Sequence, residues 1–410
     1  MDFKEYLMED ALESIIDYRG KTPKKADIGI PTLSAKSVKN NYINYSECYY
    51  ISESEYKRFM VRGFPRKGDI LLTTEAPMGM VARLDRDDVA VAQRLLTLRG
   101  KEGILDNSYL LYLLQSPYGQ GLLKAKETGT TVTGIKQSEF RKIIIKLPDI
   151  TTQKKISSIL DALNAKISCN IKMKDNLQQQ IKLIVKAWLV DYLPFGGELP
   201  SDWRTISLSE IADFVSGYSY KGTELMPSNT AMATIKNFDR NGGFKLDGFK
   251  ELVPSPKIKP CHYAEKFDVI VAHTDLTQKA EVVGNAEPII NFAGYDAIVY
   301  SMDLVKVVPN NAQISKFIIA ALLQDPRFKA HCLGYVNGTT VLHLSKKALP
   351  DYKLNFPSDP SILAPLDDAL KSMYMQIANL VEENQKLQDI RDVLSPHLLS
   401  GKIDVSNIKI

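Results

Sequence analysis

The sequence predicts an α+β protein built as two tandem domains of similar fold, each followed by a long helix, with the two helices forming an antiparallel coiled coil. Three observations predict it. Short segments recur at a constant offset of 209 residues. The order of β-rich runs and helices is the same in both copies. After each copy, apolar residues repeat at alternating steps of four and three.

The duplication rests on defined anchors. Leu113-Leu114-Gln115-Ser116-Pro117 matches Leu322-Leu323-Gln324-Asp325-Pro326, Gly129-Thr130-Thr131-Val132 matches Gly338-Thr339-Thr340-Val341, and Pro148 matches Pro357, all 209 positions apart. Earlier anchors lie closer together. Lys67-Gly68-Asp69-Ile70-Leu71 resembles Lys266-Phe267-Asp268-Val269-Ile270 at 199, and Leu12 to Tyr18 resembles Leu208 to Phe214 at 196. The drift places extra residues in loops of the second copy, where insertions are tolerated. A period near 200 marks a duplicated domain and is far too long for a solenoid repeat.

Within each copy we expect a helical segment first, then short strands such as Asp69 to Thr74 and Asp268 to Thr274. A helix follows, Ser108 to Gln115 or Ser315 to Gln324, then a GTTV turn and a strand ending at Pro148 or Pro357. Asp149, Thr151 and Thr152 suit the start of a helix.

The first helical seam runs Ile156, Leu160, Leu163, Ile167, Asn170, Lys174, Leu177, Ile181, Ile184, Trp188. The second runs Leu363, Leu366, Leu370, Met373, Ile377, Leu380, Asn384, Leu387, Arg391, Leu394, Leu398. A sustained 3.5-residue period is a coiled-coil signature, whereas a helix on a globular core shows a broader stripe. Polar seam residues lower stability but fix register. A pseudo-twofold relation between the copies makes the pair antiparallel, and in one register Asn170 faces Asn384 and Lys174 faces Leu380. Arg391 stands in the seam without a partner that the sequence names.

Composition sets the class. With 410 residues and 44% apolar content, several domains can each bury a core. No run of about 18 apolar residues occurs, so no membrane span is expected. Met1 to Asp10 is acidic and amphipathic, unlike a secretory leader, and a cytoplasmic location is the simplest expectation. Cys48, Cys169, Cys261 and Cys332 are scattered without a CxxC pair, as in a reduced compartment. Cys261-His262 and His331-Cys332 are adjacent pairs, which rarely both ligate one metal, so no metal site is expected. A net charge of +4 is too small to argue for nucleic acid by itself. Lys21, Lys24, Lys25, Lys36 and Lys39, opposed only by Asp27, form a local basic cluster, although an ordinary solvated loop explains one cluster as well.

Catalytic signatures are missing. There is no GxxxxGK[ST] or GxGxxG phosphate loop, no GxSxG elbow and no HExxH. The N/D-P-P-Y tetrapeptide of amino-methyltransferases is absent, and Asp191-Tyr192-Leu193-Pro194 does not replace it. Pro148-Asp149 followed by Gln153-Lys154-Lys155 faintly suggests a nuclease pattern, but a helix start explains it better. No catalytic residue is expected.

Leu147-Pro148-Asp149-Ile150-Thr151-Thr152-Gln153-Lys154-Lys155-Ile156, with Ile159-Leu160-Asp161, resembles the junction between recognition domain and conserved helix in type I restriction–modification specificity subunits. Leu199-Pro200-Ser201-Asp202-Trp203 is similar to that family's lead into a recognition domain, and Ser395 to Ile403 to its C-terminal signature. The first copy lacks the Leu-Pro-x-x-Trp lead, and the second has Ile362-Leu363-Ala364-Pro365 where the first has Gln-Lys-Lys-Ile. The resemblance covers essentially the whole chain. It implies target-recognition domains over 1–150 and 194–358, spacer helices over 151–193 and 359–400, and a tail over 401–410. It further implies that each domain reads half of a bipartite, asymmetric site in double-stranded DNA and that the helices set the spacer. The implied partners are two methyltransferase subunits, which bring S-adenosylmethionine and flip the target adenine, and restriction–translocase subunits. The chain itself would hold no cofactor. The rival reading is a non-sequence-specific DNA-binding or scaffold protein that recruits partners through its coiled coil.

Base readout needs paired donors or acceptors, and phosphate clamping needs cations, hydroxyls and amides. In the first copy the candidates are the lysines of the basic cluster with Thr74, Arg94, Thr130, Thr131, Lys136 and Gln137. In the second they are Tyr220, Lys221, Lys236, Asn237, His273 and Asp275, followed by Gln278, Lys279, Thr339, Thr340, His343 and Lys346. Residues shared by the copies should serve fold or phosphate, and those that differ should serve base readout.

Overall fold

The computed structural model describes residues 2–129, 133–406 and 408. Thr130 and Thr131 lie outside the described residues. The chain forms two compact units, one combining Met1–Ile167 with Leu387–Ile410, the other spanning Ser168–Lys386.

The first unit holds the first copy. Its main sheet is antiparallel, in the order Leu12–Asp17, Leu95–Gly100, Ile70–Thr73, Val81–Arg83. A smaller sheet places Ile30–Leu33 between Tyr49–Ile51, antiparallel, and Ala90–Val91, parallel. Lys4–Leu7 pairs with Ile144–Leu147 and so joins the two ends of the copy.

The second unit repeats this plan. Its main sheet runs Ala212–Ser216, Leu304–Pro309, Val269–Ala272, Ala286–Pro288, again antiparallel. The smaller sheet keeps the parallel pair, here Thr230–Ala233 with Ala297–Tyr300, and Trp203–Ser207 with Lys353–Pro357 joins the ends. The duplication read from the anchors is therefore a duplication of strand order.

One expectation fails in both copies. The helical opening is only the turn Met8–Ala11 in the first copy and a 3-10 turn, Leu208–Glu210, in the second. The residues that follow are strands, Leu12–Asp17 and Ala212–Ser216. Ile15 and Ile16 are β-branched, and pairing with Leu95–Gly100 satisfies a backbone that a short helix would leave half unpartnered.

The first long helix is Ile150–Leu189, 40 residues. Asp149 starts it: its carboxylate accepts the Thr152 amide at 3.0 Å and the Thr152 hydroxyl at 2.6 Å. Gln153 is fully buried, donates to Ile104 O and Pro148 O and accepts the Asp106 amide, which pins the helix start to its domain. The second long helix is Ala364–Leu399, 36 residues.

Each unit contains one stretch of both helices. In the first, Ile156 and Leu160 share a core with Leu398, Leu399 and Val405. In the second, Ile181, Val185 and Leu189 share a core with Leu363, Leu366, Leu370 and Ile377. Early residues of one helix thus meet late residues of the other, and the pair is an antiparallel coiled coil. Leu160, Leu366 and Leu370 are fully enclosed. Burying each stabilises the pair by about 2 kcal/mol.

Of the expected polar register, the Asn170–Asn384 contact is present. The Asn170 amide donates to Asn384 Oδ1 at 2.9 Å and to Glu383 Oε2 at 2.8 Å. Arg391, which had no partner by sequence, donates to Asn164 Oδ1 at 3.3 Å. From the first contact to the second, one helix moves six residues back and the other seven forward, as an antiparallel pair requires. Lys174 ion-pairs with Asp175 of its own helix at 3.4 Å.

Candidate nucleic-acid interface

The strand order brings three chain segments together at one end of each main sheet. In the first copy Thr73 pairs with Leu95, and Leu96 pairs with Asp17. The chain therefore leaves or enters the sheet at Thr74, Arg94 and Tyr18 on the same edge. In the second copy Ala272 pairs with Leu304, and Val305 pairs with Ser216, so His273, Asp303 and Gly217 occupy the equivalent edge. At Gly217 an added Cβ would lie 2.1 Å from Ser301 O, so only glycine allows the two segments to touch.

In the first copy this edge gathers Lys21, Thr74, Arg94, Lys136 and Gln137. The Gln93 amide reaches Thr22 Oγ1 at 3.4 Å and draws in the Lys21 segment. Thr74 donates its amide to Arg94 O at 3.0 Å and accepts from the Ile135 amide at 3.0 Å, next to Lys136. Glu75, not singled out by sequence, accepts from Arg19 at 2.7 Å and ion-pairs with Arg94 at 3.4 Å. Thr74 is buried, whereas Arg94 and Lys136 are exposed.

The lysine cluster is not one patch. Lys25 stacks over Tyr49 at 4.9 Å, and the Lys24 amide donates to Glu55 at 2.9 Å, both at the smaller sheet. Lys39 belongs to the hairpin Val38–Lys39 with Tyr42–Ile43, and Lys36 to the turn just before it. That hairpin is fastened to strand Val81–Arg83: the Asn41 amide donates to Val81 O at 3.0 Å, and Asn40 Oδ1 accepts the Val81 amide at 3.3 Å. Sequence proximity misled because strands carry these lysines to three different supports.

The loop after strand Ile70–Thr73 is short. Thr73 staples it, with its hydroxyl donating to Pro77 O at 2.6 Å and accepting the Met80 amide at 2.9 Å.

In the second copy the equivalent loop runs from His273 to Asn285, six residues longer, and pairs with the segment after Tyr335. Thr274 faces His343 and Asp275 faces Leu342 in a three-stranded ribbon, and the Gln278 side chain donates to Thr339 O. Gln278, Lys279, Thr339, Thr340, His343 and Lys346 are exposed there. Tyr220 is half-buried under Lys250, whose ammonium lies 5.7 Å from its ring, and Lys221 is exposed beside it.

Three expected readers in this copy turn inward. Asp275 is 3% exposed, and its carboxylate accepts the amides of Thr277 at 2.8 Å, Val282 at 2.7 Å and Val283 at 3.3 Å. Burial pushes its pKa up, but those amides together hold it below the usual carboxylate range. Asn237 is fully buried, accepting the Thr234 amide and donating to Lys245 O, each at 2.8 Å. His273 has an enclosed Nε2 without a partner, and burial, aided by the Lys346 charge, pulls its pKa down to about 4. Asp275 and Asn237 already spend their hydrogen bonds on the backbone, and a buried group of that kind shapes a loop instead of reading a base.

Arg240 and Lys245 were missed as individual candidates. With Lys236 they line one side of a cleft of about 280 Å³, whose other side is Asp275, Leu276 and Thr277. Arg240 lies within the hairpin bridged at Phe238 and Phe244, and Lys236 and Lys245 flank it. A run of basic residues at spacings of four and five would have signalled them.

Cations, hydroxyls and amides at both sheet edges suit phosphate oxygens and base edges. Among the described residues no group of three or more His, Cys, Asp or Glu is placed to hold a metal ion, and no helix is long and apolar enough to cross a membrane.

Known proteins share this arrangement. The family model for the type I restriction modification DNA specificity domain matches residues 8–181. The chain is similar to the type I restriction enzyme MjaIX specificity subunit of Methanocaldococcus jannaschii, with 25% identity over 92% of this chain and 88% of that protein. It is also similar to the HindI specificity subunit of Haemophilus influenzae, with 22% identity over 82% of this chain and 87% of that one. The crystal structure of the S subunit of a type I restriction-modification system from M. genitalium has the same fold, at a TM-score of 0.60 and 15% identity, covering 97% of this chain and 96% of the other.

Proposed function

The chain belongs to the specificity subunits of type I restriction–modification systems, and from that premise we propose that it reads a bipartite, asymmetric DNA site. Domain 1–150 reads one half and domain 194–358 reads the other. The observation that carries this is the repeated sheet edge: one scaffold, used twice, offers different side chains at equivalent places. Arg94, Lys136 and Gln137 stand at one edge, and Gln278, His343 and Lys346 at the other.

The paired helices, 151–193 and 359–400, hold the two readers at a fixed separation and so set the spacer. Half-sites on one face of a duplex recur about every 34 Å, which makes a rigid pair a ruler. The chain contributes recognition and supplies no catalytic group of its own. Two methyltransferase subunits dock on it and bring S-adenosylmethionine, and restriction–translocase subunits complete the complex. The candidate contacts, from Lys21 to Lys346, divide into phosphate clamps at the exposed lysines and threonines and base readers at the residues that differ between copies.

Sequencing the methylome of a host that carries this chain with its methyltransferase partner tests the reading. The expected result is one motif of two unequal half-sites with an unspecified spacer. A contiguous motif, or no sequence-specific methylation, contradicts it.

A further inference from the structure

We propose that Glu287 is a positioning residue: it ties the hairpin 238–244 of the second recognition domain to the second long helix, and so fixes where Lys236, Arg240 and Lys245 stand. The proposal rests on the reading of that cleft as part of the DNA interface.

The geometry is a chain of hydrogen bonds. The Gly243 amide donates to Glu287 Oε1 at 2.6 Å, and the Gln324 side chain donates to Glu287 Oε2 at 3.0 Å. The Tyr374 hydroxyl, on the second long helix, donates to Gln324 Oε1 at 2.6 Å. Glu287 is 7% exposed and Tyr374 4% exposed. Gly242 and Gly243 have φ of 89° and 112°, a backbone that favours glycine and turns the Gly243 amide toward the carboxylate. Asp239 closes the hairpin, with its amide donating to Gly243 O at 2.9 Å. Among the described residues nothing else in the hairpin reaches the long helices by a side-chain hydrogen bond, so this carboxylate is its polar link to them beside the packing of Phe244 on the same core.

Both partners of Glu287 are N–H donors. An ionised carboxylate satisfies both, whereas a protonated one turns an O–H toward one of them and loses that bond. Burial pushes the Glu287 pKa up to about 7, although the Gly243 amide, Gln324 and the Lys182 charge oppose it. The charged groups around it are Lys182 from the first long helix, Asp239 and Arg240 from the hairpin, Glu281, and Asp325 and Lys329 from the segment after Gln324, with Tyr374 from the second long helix. The tie is therefore complete above about pH 7 and loosens below it. The equivalent hairpin of the first domain is fastened through Asn40, Asn41 and Val81, none of which titrates.

The test is hydrogen exchange on the full chain at pH 6 and pH 8, corrected for intrinsic rates, with duplexes altered in one half-site at a time. An unpaired buried donor is worth roughly a tenfold change, so Glu287→Ala should speed exchange of peptide 239–245 about tenfold and weaken discrimination at the second half-site by a similar factor. The first half-site should be unaffected. Glu287→Gln keeps an acceptor for Gly243 but turns its amide toward Gln324, as the protonated carboxyl turns its O–H, while the Tyr374 hydroxyl holds Gln324 Oε1. It should hold both readouts near the wild type's level in acid and abolish their pH dependence. Unchanged exchange at 239–245 in Glu287→Ala, equal loosening of both domains, or a pH response that persists in Glu287→Gln would overturn the proposal. If exchange responds as expected but neither half-site is discriminated, the DNA reading fails and the tie stands.

Discussion

The two recognition domains share the strand order of their main sheets and the parallel pair of their smaller ones, yet they secure their equivalent loops by different chemistry. The short loop after Ile70–Thr73 is held by the Thr73 hydroxyl, and the long one after Val269–Ala272 by the Asp275 carboxylate. The hairpin after Ile30–Leu33 is fastened by the neutral Asn40, and its counterpart after Thr230–Ala233 by the buried Glu287. The lesson is that a duplicated scaffold can diverge at its supports as well as at its reading surface. The longer loop gathers more amides at one point, and the Asp275 carboxylate accepts three where the Thr73 hydroxyl accepts one.

The largest effect should come from the helical seam, where the two units can be separated. Leu160→Ala and Leu370→Ala each remove a fully enclosed side chain and should destabilise by about 2–5 kcal/mol. Each should loosen its own unit, Met1–Ile167 with Leu387–Ile410 or Ser168–Lys386. Hydrogen exchange by mass spectrometry would show this, and equal loosening of both units would erase the distinction.

The loop staples come next. Asp275→Ala leaves three amides without an acceptor and should cost about 3 kcal/mol, against about 1 kcal/mol for Thr73→Ala. The staples also differ in acid. The Asp275 pKa is depressed in the fold, so its stabilisation is complete above the unfolded carboxylate value near 4 and is lost as pH falls through the lower folded value. Thermal melts between pH 6 and pH 3 should show loss of the wild-type advantage over Asp275→Ala, and no such trend for Thr73→Ala.

The polar layer of the coil sharpens the comparison further. Asn170→Leu removes an amide buried in the seam and should raise stability by about 1 kcal/mol while weakening register. Cysteines at 170 and 384 should form a disulfide on oxidation, detected as a shift under non-reducing electrophoresis. Failure to cross-link would place these residues in different layers.

The smallest effects belong to single phosphate contacts. Lys136→Ala and Lys346→Ala should each weaken binding a few-fold and lower the salt slope by about one, for both cognate and non-cognate DNA. Unchanged affinity in a gel-shift assay would remove that residue from the interface.

The duplication, the heptads and the Asn170–Asn384 layer were legible because each is a spacing, and spacing survives folding. The opening strands were not. Leu12 to Tyr18 carries no clean alternation, and only pairing with Leu95–Gly100 decides its state. Side chains that turn inward were not legible either. Asp275 and Asn237 are of the right type to read bases, but the amides that occupy them come from backbone two to eight residues away. Lys36 and Lys39 lie near Lys21 in sequence and at a separate hairpin in the fold. Glu287 gives no signal of its own, since its partners, Gly243 and Gln324, are far from it in sequence.

The most direct test of the central claim lengthens the ruler and leaves the readers alone. One heptad inserted after Asn170 and one after Glu383 add about 10 Å to the helical pair at ~1.5 Å per residue, roughly three base pairs. Methylome sequencing of a host carrying this variant with its methyltransferase partner should return the same two half-sites with a spacer longer by about that amount. An unchanged spacer, or altered half-sites, would contradict the account.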